Sequence, residues 1–157
     1  MAFAFTDPAV ATGHLGVAIG DIATVFNVEA RRHGAPDRLT LHDGTCERGH
    51  RTVCTYAVSP SVGVLTSTDK DGANIKEFSV MFVGDDRDGF QDAVSAYVLA
   101  MAVFDPELTD DERGHIIKHL FDGVAGRDEF SIDGRAVRYK LLKTRTIGLH
   151  FVIEPKA

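Results

Sequence analysis

The stretch RTVCTYAVSPSVGVLTSTDKDGANIKEFSVMFV, residues 51–83, decides the fold. It contains three runs rich in Val, Thr, Tyr, Phe and Ile, at 51–58, 62–68 and 74–83, and such runs bounded by turn residues read as strands. Cys54, Tyr56 and Val58 recur at period two in the first run, as do Phe78, Val80 and Phe82 in the third, so each set lies on one face of its strand. Ser59-Pro60 forms the first turn. Asp69-Lys70-Asp71-Gly72 forms the second, where Gly supplies a positive φ. Strands joined this tightly run antiparallel.

Upstream, a further strand is expected over 38–42, followed by the turn pairs Asp43-Gly44 and Arg48-Gly49. Before it, Ile19, Ile22, Ala23, Phe26 and Ala30 share one face of a helix over 17–33, which Gly34 and Pro36 stop. Residues 1–14 read as an irregular lead-in. Downstream, Asp88-Gly89-Phe90-Gln91 resembles a capping box, with Asp88 as the cap of a helix over 89–104. Phe90, Val94, Tyr97, Val98 and Met101 form the stripe that this helix lays on a sheet. Thr109-Asp110-Asp111-Glu112 is a second capping box. It opens a helix over 109–122 with Ile116, Ile117, Leu120 and Phe121 as its apolar face. Strands follow over 129–132, 135–142 and 146–153, the first two joined by Asp133-Gly134. In the last, Ile147, Leu149, Phe151 and Ile153 alternate with Gly148, His150 and Val152, so one face is core and the other wetter.

The order α-ββββ-αα-βββ places the chain in the α+β class. It predicts a two-layer sandwich, in which a curved antiparallel sheet of about six to seven strands carries helices on one face. Residues 1–157 read as a single domain, a size that buries enough surface to fold without metal or disulfide.

Net charge is −6, from 17 Lys/Arg against 23 Asp/Glu. An acidic chain repels phosphate backbones, so nucleic acid is not an expected partner. Residues 1–126 carry 10 Lys/Arg and 19 Asp/Glu, whereas residues 127–157 carry 7 and 4, a mildly basic end on an acidic body. No apolar run reaches the roughly 18 residues of a membrane span. Small acidic type III secretion chaperones resemble this chain in size, charge and part of the element order. That family ends on a helix, whereas this chain ends on a strand, and two adjacent helices stand here where the family has one. The likeness is therefore one of size and charge, and it implies at most a dimeric adaptor.

Cys46 and Cys54 flank a turn and are the disulfide candidate, and their number and spacing match no four-ligand zinc motif. No signal peptide is read in the chain as given. Ala2-Phe3-Ala4 does match the small-x-small pattern found at the end of one, which favours an exported bacterial protein, periplasmic or secreted, over a cytoplasmic one.

Each residue with chemical capacity has an ordinary reading beside the functional one. His115 and His119, at i and i+4 with Glu112 three residues earlier, are the metal candidates. Gly114 and Ile116 beside the first His depart from the metalloprotease motif, and a solvated helix face explains both. Asp85, Asp86, Asp88 and the pair Asp69 and Asp71 lack the calcium-loop pattern, and acids before a helix are expected from its dipole. Cys54 with His42 or His50 is a nucleophile–base candidate, set against a buried or bonded cysteine. Gly-x-Ser-x-Gly and the phosphate-binding Gly-rich loop are absent. Arg138 and Lys140, on the face away from Val137, Tyr139 and Leu141, are binding candidates with His150 on the last strand. Edge protection is their ordinary reading.

The expectation is a non-enzymatic binding or protein-interaction domain that needs no cofactor. Its partner is a protein or small-molecule ligand, and a homodimer fits the same reading. The rivals are a small enzyme whose site assembles only in three dimensions and a dimeric secretion-chaperone-like adaptor.

Overall fold

A computed structural model describes residues 13–70, 72–145 and 148–156. Residues 1–12 of the expected lead-in, Asp71, Thr146 and Ile147 of the expected last strand, and Ala157 lie outside the described residues. The elements are α1 (Ile22–Arg32), a 3-10 turn (Asp37–Leu39), β1 (Thr45–Arg48), β2 (Thr52–Ser59), β3 (Val62–Thr68), β4 (Ile75–Phe82), α2 (Arg87–Phe104), α3 (Asp110–Val124), β5 (Glu129–Asp133), β6 (Val137–Thr144) and β7 (Gly148–Pro155). The strands form one antiparallel sheet in the order β1-β2-β3-β4-β7-β6-β5. Two meanders thus run inward from opposite edges and meet at β4 and β7. This is the expected α+β sandwich with its order α-ββββ-αα-βββ.

Register fixes which side chains meet the helices. Cys54, Thr66, Phe78, Ile153, Tyr139 and Ile132 line up across six strands, and so do Tyr56, Val64, Val80, Phe151, Leu141 and Phe130. These rows form the helix-facing side. Phe26 of α1 stacks on Phe78 with ring centroids 6.0 Å apart. Tyr97 of α2 meets Phe151 at 5.0 Å, and Phe121 of α3 meets Phe151 at 5.9 Å. All three helices therefore cover the same face.

Four local expectations are corrected. The strand expected over 38–42 is instead the 3-10 turn and an extended arm, because Asn27 of α1 takes the backbone that a ladder would use. Its Oδ1 accepts from Leu41 N at 2.7 Å and its Nδ2 donates to Leu41 O at 2.9 Å. The fourth strand of the first meander is β1, and the turn after it contains Gly49. The helix expected from residue 17 begins at Ile22. Val17 and Ile19 instead run beside β4, with Ile75 N donating to Val17 O and Ile19 N to Ala73 O. In α2 the cap is Asp86, which accepts from Gly89 N at 2.8 Å, and not Asp88. The buried stripe of α2 is also rotated from the expected one. Ala93, Ala96, Tyr97, Ala100 and Met101 have no exposed surface, while Phe90, Val94 and Val98 are only partly buried. The alanines let the helix axis approach the sheet closely, which a count of large apolar residues overlooks. The capping box at Thr109 and Glu112 forms as expected.

Gly148 shows why β7 starts where it does. Its φ is +86°, and a Cβ there would sit 2.4 Å from Phe82 O, so no other residue fits this entry to the strand.

Candidate functional site

The face turned away from the helices, here the outer face, is built from the alternate residues of each strand. One row carries Glu47, Val53, Ser67 and Glu77, and continues on the other meander as Glu154, Arg138 and Asp133. Two residues along the strands, a second row carries Thr55, Leu65, Ser79, Val152, Lys140 and Ser131. The third carries Ala57, Gly63, Met81, His150, Leu142 and Glu129. On β3 and β4 the row at Ser67 and Glu77 is polar and the row at Gly63 and Met81 is small or apolar, whereas on β5 an acid, Glu129, stands in that third row.

A cleft lies at each end. The apolar one, about 360 Å³, is lined by Thr55, Ala57, Pro60, Gly63, Met81 and Val83 among others. Gly63 forms its floor. The polar one, about 400 Å³, mixes the acids Asp69, Glu77 and Glu154 with the cations Arg51, Lys76 and Lys156, beside the buried hydroxyls of Ser67 and Thr68.

The binding candidates Arg138, Lys140 and His150 all lie on this face, and register explains what surrounds them. Arg138 Nε donates to Asp133 Oδ1 at 3.0 Å. Lys140 Nζ lies 3.1 Å from Glu154 Oε1 and 3.8 Å from Glu129 Oε2. The basic cluster read along the chain is thus matched by acids from β5 and β7. Among the described residues, Glu47 and Glu77 have no ion-pair partner. His150 is half-buried, and its Nε2 is covered without a hydrogen-bond partner. Burial holds its imidazole below the usual histidine range, opposed by the charge of Glu77.

The other chemical candidates sit in structural settings. Cys46 and Cys54 face each other in the β1–β2 ladder, with Cα atoms 4.1 Å apart and Sγ atoms 2.05 Å apart, a disulfide. Cys54 is therefore no nucleophile, and His42 instead bonds the Thr40 hydroxyl through Nε2. Thiol titration of the denatured, unreduced protein, prepared under oxidising conditions, is expected to find no free thiol. Two free thiols would contradict the pairing.

His115 and His119 are exposed on α3, and among the described residues no group of three His, Cys, Asp or Glu side chains converges as a metal site. Replacing both by Ala is expected to change unfolding free energy by less than about 0.5 kcal/mol, as at exposed positions generally. Zinc retained stoichiometrically through dialysis, and lost in the double variant, would overturn that expectation.

Asp105 is a group that the sequence reading missed. It follows α2 and is 1% exposed. Its carboxylate accepts from Arg135 N at 3.1 Å, Ala136 N at 3.2 Å and Tyr139 Oη at 3.0 Å. Gly134 makes room for it, since a Cβ there would lie 2.4 Å from Asp105 Oδ2. Burial raises the Asp105 carboxyl above the ordinary range, against the hydrogen bonds and the Lys156 charge that favour ionisation. Burial and the neighbouring carboxyl also push the Tyr139 phenol far up, so it stays a donor. A cleft of about 380 Å³ touches Asp105, Glu107 and Arg135. Both carboxylate oxygens are nonetheless engaged in tying the β5–β6 turn to the end of α2. Asp-Pro at a helix end and Asp-Gly in a hairpin are each legible, but not that they meet 30 residues apart.

No family model matches this chain, and no curated protein or solved structure matches it. No described helix is long and apolar enough to cross a membrane. A functional reading therefore rests on the chemistry of the outer face.

Proposed function

We infer that the protein is a non-enzymatic binding domain whose ligand site is the cleft over Gly63 at one end of the outer face, since the middle of that face, at Ser67, Ser79 and Val152, is buried. The observation that carries this is the cleft of about 360 Å³ at Gly63, a lining position that presents no side chain. Thr55, Ala57, Gly63 and Met81 approach the cleft from three adjacent strands. Clefts lined by apolar groups with a few polar ones nearby are the usual form of ligand sites.

The rival readings have less support. A three-dimensionally assembled enzyme would need a free reactive group. Cys54 is bonded and Asp105 is engaged by three donors. A chaperone-like adaptor would present a broad apolar patch, but among the described residues the exposed large hydrophobic side chains are Val28 and Val83, on separate elements. The disulfide is consistent with an oxidising compartment, the periplasm or the exterior.

Gly63→Leu tests the reading. A Cβ at Gly63 would meet Met81 Cε and Tyr56 O at 3.7 Å, ordinary contact, so a larger residue fills the cleft without entering the core. The variant is expected to unfold at the wild-type denaturant concentration and to lose binding to a panel of short extended peptides measured by fluorescence anisotropy. Undiminished peptide binding would overturn the outer-face site. An ester, peptide or phosphate hydrolase activity that survives the substitution would overturn the non-enzymatic reading.

A further inference from the structure

We propose that the Cys46–Cys54 disulfide is a redox latch on β1, and that a dithiol reductant releases β1 and opens the edge of β2 beside the Gly63 cleft. The release stands on the geometry of β1 alone, whereas its consequence for binding rests on the cleft reading above. β1 is the last strand of the sheet, and β2 is its one neighbour. All four of its residues are exposed, as is every residue of 42–51 around it. Little apolar burial therefore ties β1 down, and a short exposed ladder is marginal by itself. The fully buried side chains Phe78, Val80, Tyr139 and Phe151 lie on β4, β6 and β7, at least two strands away from β1. Release is bounded on the N-terminal side by Gly44, whose backbone lies against the Tyr56 ring.

The bond is open to exchange from one side. Cys46 is exposed, whereas Cys54 is 2% exposed, so a reductant reaches the Cys46 end. One thiolate of the dithiol attacks Cys46 Sγ, the S–S bond breaks, and its electron pair leaves on Cys54 Sγ. The second thiolate then attacks the mixed disulfide and displaces Cys46 Sγ. Both cysteines end as thiols, carrying the two protons that the dithiol gives up, and the dithiol is oxidised to its own disulfide.

Ladder geometry says what release uncovers. The Cα atoms of Cys46 and Cys54 are 4.1 Å apart, the narrow spacing of a pair that exchanges no backbone hydrogen bonds. The bonds between β1 and β2 therefore fall at the flanking pairs, Thr45 with Thr55 and Glu47 with Val53. Without β1, Val53 and Thr55 turn unpaired N–H and C=O groups to the edge, in line with exposed Ala57 on the same side of β2. Thr55 and Ala57 also line the Gly63 cleft. An added strand could then pair with this edge while one of its side chains enters the cleft, the usual form of strand addition.

Amide hydrogen exchange followed by NMR, before and after dithiothreitol, tests the latch. The chain has two cysteines and both are in this bond, so the reductant acts nowhere else. The amides of Thr45, Glu47, Val53 and Thr55 are expected to exchange at least about tenfold faster after reduction, with those of Val80, Leu141 and Phe151 unchanged. Cys46→Ser should reproduce this without reductant. Unchanged exchange at the four amides would overturn the latch. Acceleration that reaches Val80, Leu141 and Phe151 would also overturn it, by making the disulfide a staple of the whole fold. Gly63→Leu should leave the exchange difference intact, which separates the latch from the cleft reading. The peptide panel is expected to bind the reduced protein at least about tenfold tighter than the oxidised one. Equal affinity in both states, with β1 released, would overturn the gating and leave the cleft reading standing.

Discussion

Phe151→Ala is expected to cost about 3–5 kcal/mol of unfolding free energy, the usual loss for a fully buried phenylalanine. Phe151 has no exposed surface and lies where the two meanders join, paired with Val80 on one side and Leu141 on the other. Its ring touches Tyr97 of α2 and Phe121 of α3, so its loss opens a void that two helices and three strands share. His150, the preceding residue, points to the outer face and donates to no partner through Nε2. His150→Ala is therefore expected to cost about 1 kcal/mol or less, since an already unpaired polar group has little to lose. Chemical denaturation of both variants checks the facing of β7. A neutral Phe151→Ala with an unfolded His150→Ala would mean that the sheet is inside out.

Asp105→Ala is the second large effect, expected at about 2–4 kcal/mol, because the buried Tyr139 hydroxyl left unpaired costs about 1–3 kcal/mol and the backbone N–H groups of Arg135 and Ala136, on a turn that water reaches, add less. The loss includes two backbone N–H groups and the Tyr139 hydroxyl, which lies under α2. Stability should also depend on pH through this group. Its carboxyl is raised in the native state by burial, so the native protein holds that proton more tightly than the unfolded chain. The resulting stabilisation is complete below the ordinary carboxylate range and is lost as pH rises through the raised value. Asp105→Asn should lack that component while retaining an acceptor for part of the turn. A loss below about 1 kcal/mol in Asp105→Ala would show that water replaces the carboxylate at this corner.

Much of the fold was legible from local chemistry. The strand runs read at 62–68 and 74–83 and the turn residues between them correspond to β3 and β4 within one residue at each end. Thr109 and Glu112 carry a capping box that needs no tertiary context. Two of the failures share one cause, a long-range partner that overrides local preference. Asn27 converts a plausible strand into an arm, and the backbone at the start of β4 draws Val17 and Ile19 out of the expected helix. The site was less legible than the fold. Arg138, Lys140 and His150 share the outer face in the register of β6 and β7. That Glu129, Asp133 and Glu154 would neutralise the cations depends on register between β5, β6 and β7, which no single strand reveals. Gly63 carries no sequence signal at all. A glycine in a strand becomes a cleft floor only when Met81 and Thr55 stand beside it.

The central claim is that the outer face, and not the helical layer or the Asp105 corner, is where this protein meets its partner. Amide-resolved NMR titration of the labelled protein with the panel of short extended peptides tests it most directly. The account predicts chemical-shift changes confined to Thr55, Ala57, Gly63, Met81 and their strand neighbours, with α3 around His115 and His119 unmoved. Shifts that cluster on α2 and α3, or around Asp105 and Arg135, while the amides of β3 and β4 stay still, would contradict it.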